Sequence, residues 1–522
     1  MSIKNWTPSS LCACDCAVLK NIFFLLLCCN VNGFADWPQA SGPNHDYRVS
    51  GQAPTAFSVA RNQNVLWRTP LPNTGESTPI IAGGRVFLTC HTPMTADAES
   101  GRDIFAICFD ARTGQELWRR KLPATRVTDM ASGFSDNTAA SPVTDGEHVC
   151  FMNVGGSIHT YDYEGKLIWK HEWVPFGRHH ARQQEPILHD GKVIFLKTVA
   201  KNLSIEATTK EGAKPLGRDK KYWTRLHAFD LATGDVEWVA ESATSVHSAS
   251  LMNQTIEGTP AILTGRGGGH QPPEEPYGLS LIDANSGNTI WDLPISGYAA
   301  HQNTVWRGNR GTLFAGMQHH LIDMQEGTLQ ERTSLLENVH LRQYKDGKYV
   351  STSMTNLPAS KKKKPITYHT NCLIGDYHYF RTHNDFYLGR VNILTGKVEY
   401  LQVPVQVDRN KEKETILWDK AIKNEVRNND GFIVYQDQRA TLNGWGHVSA
   451  ASPIVVGDYL YMPTMVGTVY VLRWNAPKLD EKAIVSLSDL GPAGKTWTLS
   501  SLAASDGKIY ARTLKELICI GE

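Results

Sequence analysis

One phrase recurs along this chain of 522 residues and restricts its fold more than any other feature. It reads CFDARTGQELW at 108 to 118, TYDYEGKLIW at 160 to 169, AFDLATGDVEW at 228 to 238 and LIDANSGNTIW at 281 to 291. In each copy an Asp precedes a short polar stretch, and a Trp follows a Gly by four residues: Gly114 to Trp118, Gly165 to Trp169, Gly234 to Trp238, Gly287 to Trp291. Two looser copies keep the offset without the indole, Gly327 to Glu331 and Gly396 to Tyr400, and VLWRTPL supplies one further indole, Trp67. From Trp67 onward, successive tryptophans of this set lie 51, 51, 69 and 53 residues apart. Self-similarity at such periods marks an array of like supersecondary units. The Asp side chain can bond the backbone that follows it, and Gly can take the positive φ that ends a tight turn between strands. A large indole at one register is what a radial stack of small sheets requires, because each sheet must bury its face on the next.

A second phrase alternates with the first. TPIIAGGRVFL (78 to 88), SPVTDGEHVCF (141 to 151), EPILHDGKVIFL (185 to 196) and SPIVVGDYLYM (452 to 462) each show a Pro, an apolar run, a Gly-containing turn and an alternating strand. Looser copies begin at residues 248, 303, 371 and 500, which brings the number of units to eight. Units of about four short strands over roughly 40 to 70 residues are the size of a propeller blade. The expected fold is therefore all-β: an eight-bladed β-propeller of four-stranded blades over 64–522, with an N-terminal segment at 36–63. The final unit stops at LICIGE without an outer strand, and residues 64 to 69 read as an outer strand without a unit, so the two should pair and close the ring.

These phrases resemble the repeats of the pyrroloquinoline-quinone-like (PQQ-like) propellers, whose hallmark is A-x-D-x-x-T-G-x-x-x-W, a tryptophan-docking motif. The resemblance covers nearly all of 36–522, and DWPQASGPNHD (36 to 46) and HSASLMNQTIEGTPAILTGRGGG (247 to 269) are similar to a secreted bacterial subgroup. It implies the fold and leaves the activity to be argued from the site. Trp67, Trp118, Trp169, Trp238 and Trp291, with Gly114, Gly165, Gly234 and Gly287, are expected to be structural.

The first 35 residues differ from the rest. Lys20 precedes NIFFLLLCCNV, an apolar run short for a bilayer span, and Gly33-Phe34-Ala35 offers small residues for a signal peptidase. Residues 1–35 are read as a signal peptide, with export to the periplasm or exterior; lipoprotein anchoring at Cys28 or Cys29 is the less favoured alternative. The five later cysteines, Cys90, Cys108, Cys150, Cys372 and Cys519, sit in strand-like apolar runs and are expected as buried thiols. A net charge of +1 supplies no global field for nucleic acid, and a monomer is expected.

In the quinone-dependent alcohol dehydrogenases that share these repeats, the cofactor rests against a disulfide between adjacent cysteines and a calcium ion is held by Glu, Asn and Asp. The only adjacent pair in this chain, Cys28-Cys29, falls in the signal segment, and no C-x-x-C-H haem motif occurs. No cofactor is therefore assigned, PQQ with calcium being the alternative, and no metal is assigned. A second candidate site gathers histidines ahead of first strands: His247, His301, His369 and His447, with Arg182 as a further catalytic candidate. Innermost strands converge on one axis, so equivalent positions in different units become neighbours. Ligand-binding candidates are His179, His180, Trp306, Trp445 and Trp497. The competing reading has these histidines capping strand ends and these indoles filling core.

Connections at 199–224, 336–366 and 408–442 exceed ordinary loop length, and ILWDKAIKNEV (416 to 426) is expected to form a short helix with Trp418 and Ile422 on one face. Two function classes remain open at this point. The favoured one is an exported, non-catalytic binding or assembly scaffold for a protein or glycan partner. The alternative is an enzyme using the central funnel, either a PQQ-dependent oxidoreductase or a His-based carbohydrate lyase or hydrolase.

Overall fold

The computed structural model describes residues 36–93, 103–125, 137–173, 185–200, 222–244, 251–266, 277–295, 303–354, 357, 371–382, 387–424, 427–431 and 451–522. These residues form eight antiparallel four-stranded blades, and none of them is in an α-helix. Blade 1 is Ile80–Ala82, Arg85–His91, Ile104–Asp110 and Glu116–Leu122; each later blade repeats the pattern, with first strands at Val143–Thr144, Ile187–His189, Leu251–Ile256, Val305–Arg307, Asn371–Ile374, Ile454–Val456 and Ala503–Ser505. Blade 8 is completed by Val65–Pro70, which pairs antiparallel with Glu516–Ile520. The ring thus closes between the two ends of the propeller, as the unmatched strands at 64–69 and LICIGE require.

The recurrent phrase makes the turn between third and fourth strands. Asp110 Oδ1 accepts from the backbone N–H of Arg112 and Thr113 at 3.0 and 2.7 Å, and Gly114 follows at φ +72°. The preceding blade's indole lies against that glycine: a Cβ placed on Gly114 would come within 2.5 Å of the Trp67 ring. The same contact joins Trp118 to Gly165, Trp169 to Gly234, Trp238 to Gly287 and Trp291 to Gly327. Four of these indoles donate to a carbonyl of the next blade's turn: Trp67 to Ala111, Trp118 to Tyr163, Trp169 to Leu231 and Trp291 to Met324.

The segment after residue 35 belongs to the propeller rather than leading up to it. Trp37, 0% exposed, bridges Ile81 of blade 1; Pro38 O accepts from Thr144 N of blade 2; Gln39 Oε1 accepts from Leu188 N of blade 3. Arg48–Val49 then runs parallel to Ile454–Val456 of blade 7. One short stretch therefore contacts the innermost strands of four blades and occupies the axis on the face of the first-to-second-strand turns. From there the chain passes outward, with Tyr461 Oη donating to Ala53 O and Ser58 bridging Asp489, to reach the outer edge of blade 8.

Two insertions hold structure of their own. A hairpin of Val339–Lys345 and Lys348–Met354 extends blade 6 by parallel pairing of His340 to Arg342 with Glu399 to Leu401. A second hairpin joins Gln406–Arg409 to Glu414–Leu417. The second corrects the helix expected over 416 to 426: Glu414–Leu417 is a strand and residues 418–424 are not helical. Pairing with Gln406–Arg409 satisfies the backbone at 414–417, and Trp418 lies flat on Tyr344 at 3.9 Å instead of facing a helical neighbour.

Candidate functional site at the propeller axis

Opposite the segment that fills the axis, six of the blades have, among the described residues, a polar residue at one fixed position ahead of the first strand. Thr78, Ser141, Glu185, Asn303, Ser452 and Ser501 each stand two residues before their first strand. In the ring they become neighbours and bond from blade to blade. Ser501 N donates to Thr78 Oγ1 at 3.2 Å, Thr78 N to Ser141 Oγ at 2.9 Å, and Ser141 N and Oγ to the two Glu185 oxygens at 2.8 and 2.9 Å. On the other side Ser452 N donates to Ser501 Oγ at 2.9 Å, and Asn303 Nδ2 to Ser452 Oγ at 2.6 Å. This belt covers the described approaches to blades 7, 8, 1, 2 and 3 and reaches blade 5. Because each group is already bonded to its neighbour, the belt is a rigid frame.

Tyr47, 6% exposed, rises from the axial segment to form the floor of this frame; its phenol bonds Ser452, and Glu185 lies close enough to act on it electrostatically. Burial, reinforced by the Glu185 charge, pushes the Tyr47 hydroxyl well above its ordinary range, so it is neutral. Glu185 keeps part of its surface exposed, yet its carboxyl sits among protein atoms, and desolvation pushes it up to about 7 against the lowering effect of Ser141. A carboxyl that titrates near neutrality beside an axis is suited to exchanging a proton or meeting a cationic group.

A buried chain of polar side chains feeds the frame from blades 5 and 6. His319 Nε2 lies 2.9 Å from His378 Nδ1, and His378 Nε2 lies 3.1 Å from Asn371 Oδ1. Asn371 Nδ2 donates to Asn303 O at 3.2 Å. The protonation states follow from the acceptors. Asn371 Oδ1 only accepts, so His378 Nε2 carries the hydrogen; desolvation keeps both rings neutral, with His319 lowered to about 3 and His378 well below its ordinary value. Neutral His378 then presents a bare Nδ1, and His319 Nε2 must donate to it. The hydrogens of this chain therefore all point toward Asn303.

His247, His301, His369, His447, Arg182, His179, His180 and Trp445 lie outside the described residues. Trp306 is 0% exposed and packs among Leu263, Leu281, Leu313 and Ile322 between blades 4 and 5; Trp497 is 2% exposed. Sequence reasoning missed the belt, although its signal was present: the residue before the recurrent Pro in TPII, SPVT, EPIL and SPIV is Thr78, Ser141, Glu185 and Ser452. The Pro marks the coming strand, and the polar residue ahead of it marks the belt.

The described residues do not fit a quinone and calcium. The five cysteines are unpaired, buried and spread over four blades, so none forms an adjacent pair against which a planar ring could stack. Among the described residues no group of three or more His, Cys, Asp or Glu side chains is placed to hold a metal ion. Among those residues too, no helix is long and apolar enough to cross a membrane.

The family profile described as outer membrane protein assembly factor BamB matches residues 101–355. Among curated proteins none matches the chain by sequence. Among solved structures, a europium-containing methanol dehydrogenase is 11% identical with a TM-score of 0.51, covering 91% of this chain and 88% of that one. Quinohemoprotein alcohol dehydrogenase from Comamonas testosteroni is 11% identical with a TM-score of 0.52, covering 93% and 81%. BamB from Moraxella catarrhalis is 11% identical with a TM-score of 0.45, covering 87% and 98%. At such identities the likeness concerns the fold alone. With its repeated phrase, its eight four-stranded blades and the matching profile, the chain is a PQQ-like repeat β-propeller, related in fold to outer-membrane assembly propellers and to quinoprotein dehydrogenases.

Proposed function

We propose that this protein is an exported, non-catalytic binding propeller that receives a protein or glycan partner on the face opposite its axial segment. The observation that carries this reading is the belt itself. Its hydroxyl and carboxylate groups are bonded to one another from Ser452 through Ser501, Thr78 and Ser141 to Glu185, which stabilises a buried frame beneath that face and leaves few groups free to act on a substrate. The axial segment supports it further, since Trp37 to Val49 closes the other face and leaves one side for a partner. The matching assembly-factor profile favours a scaffold role on the same side of the choice. Export rests on the sequence of residues 1–35 and is checked by N-terminal sequencing of the mature protein.

Two measurements test the reading together. Purified protein supplied with PQQ and calcium should show no alcohol-dependent dye reduction; robust turnover would overturn the proposal in favour of an oxidoreductase. A photo-crosslinking residue at exposed Pro93, in a connection between second and third strands, should capture a partner in the native compartment, whereas one at exposed Asn285 on the opposite face should not. Equal capture at both positions, or at neither, counts against a one-faced binding surface.

A further inference from the structure

Strand alternation in blade 6 sends the side chains of Tyr377–Arg381 to two different neighbours. His378 and Phe380 meet His319 and Phe314 of blade 5, while Tyr379 donates to Trp474 O and Arg381 lies over Tyr470 of blade 7. Arg381 is the last residue of its strand, at the end nearer the belt, and it is 1% exposed. Its guanidinium carbon stands 5.1 Å from the Tyr470 ring centroid. The guanidinium also bonds the Tyr470 hydroxyl, but Nε and Nη1 have no hydrogen-bond partner, and none of the described carboxylates is within ion-pair distance.

The matching residue of blade 8 shares the unpartnered Nε but has its terminal nitrogens satisfied. Arg512 also ends its second strand, is also 1% exposed, and also faces the next blade. Its Nη1 donates to Ser77 O at 3.1 Å, Ser77 Oγ at 2.8 Å and Thr89 O at 2.8 Å. In blade 7 the residue equivalent to Ser77 is Ala451, which has no hydroxyl to offer. A guanidinium does not shed its proton in a protein, and burying it with only part of its donors satisfied is costly. The Tyr470 ring and hydroxyl recover part of that and leave Nε and Nη1 unmet.

We propose that Arg381, between blades 6 and 7, anchors a binding site for a small oxyanion, a carboxylate or a tetrahedral phosphate or sulfate, whose oxygens accept from the free guanidinium nitrogens. The site holds whether the face above it recruits a partner or performs chemistry, so its fate is separable from that of the scaffold reading.

Calorimetric titration of the whole protein at constant ionic strength tests it, with inorganic phosphate and acetate as separate probes against wild type, Arg381→Met and Arg381→Lys. One equivalent of at least one probe should bind wild type and raise its melting temperature. Arg381→Met should bind about ten-fold or more weakly, and Arg381→Lys should fall between. Binding of phosphate alone indicates a free tetrahedral oxyanion; binding of acetate indicates the carboxylate of a larger ligand. Binding of neither, or equal binding by Arg381→Met, overturns the site. If Arg381→Met does not fold, wild-type crystals grown with selenate decide the matter: an anomalous peak within about 4 Å of the guanidinium supports the proposal, and its absence overturns it.

Discussion

The two halves of this ring are held together by different means. From blade 8 through blade 5, each junction has an indole pressed on the glycine of the next blade, with built Cβ distances of 2.5 to 2.8 Å at Gly114, Gly165, Gly234, Gly287 and Gly327. Beyond blade 5 the pattern stops. Gly396 meets Thr333 instead of an indole, and Tyr400 turns back to donate to Leu335 O. There the junctions rest on charge and on inserted chain: Arg390 bonds Glu399 at 2.7 Å and Ala476 O at 2.7 Å, Arg342 reaches Glu481, and Arg409 pairs with Asp489 at 3.2 Å. A local repeat can supply a local wedge; where the repeat decays, contacts between residues tens of positions apart take its place.

This contrast can be broken at its strongest points first. In the charge-braced half, Glu399→Ala leaves Arg390, 0% exposed, without its carboxylate and should lower unfolding free energy by about 3–5 kcal/mol in urea melts. In the wedged half, Trp118→Ala removes a ring that packs on Phe87, Phe151 and Tyr161, with an expected loss of about 3–5 kcal/mol. If either change proves nearly neutral, its half is held by something else.

A finer comparison uses alanine at two glycines that share a positive φ. Gly234→Ala would drive a methyl to 2.6 Å from the Trp169 ring, and roughly 2–4 kcal/mol should be lost to overpacking and backbone strain together. Gly396→Ala meets only Thr333 at 3.2 Å and should cost about 1 kcal/mol, mostly strain. Equal costs would show that the indole contact adds nothing.

The pH dependence of stability separates the histidine chain from the belt. His319 and His378 have folded values below the ordinary 6.5, so their contribution is complete above pH 6.5 and is lost as pH falls toward about 3. His319 alone should therefore cost wild type on the order of 2 kcal/mol by pH 5, beside the same-signed losses from desolvated His378, His45, His159 and His227, and His319→Gln should reduce that slope. Glu185 acts in the opposite sense. Its folded value lies above 4.5, so the folded state holds its proton more tightly, and stability falls as pH rises from 4.5 to about 7. Because the residue is partly exposed, about 1–2 kcal/mol is expected, removed in Glu185→Gln. A wild-type profile without either limb would contradict these assignments.

Much of the architecture was readable because a blade is a short-range object. Asp110, Gly114 and Trp118 lie within one turn and one strand start, and their chemistry repeats down the chain. Closure was readable because residues 64–69 and 516–520 were each visibly incomplete. The insertions were harder. ILWDKAIKNEV has helical spacing, but strand pairing with 406–409 overrode it. At the axis, the polar residue ahead of each Pro was in view, while its role depended on seeing the blades' first strands side by side.

By itself, then, the sequence determined the unit and its number, since the offset from glycine to tryptophan and the alternation of strands are properties of a few consecutive residues. Only the tertiary structure decided that Trp37 to Val49 fills the axis, that Thr78, Ser141, Glu185, Ser452 and Ser501 form one belt, and that Nη1 of Arg381 lacks the acceptors that Nη1 of Arg512 has. Those facts arise from closing a ring, which brings residues hundreds of positions apart within a hydrogen bond of each other, and no local pattern records such a meeting.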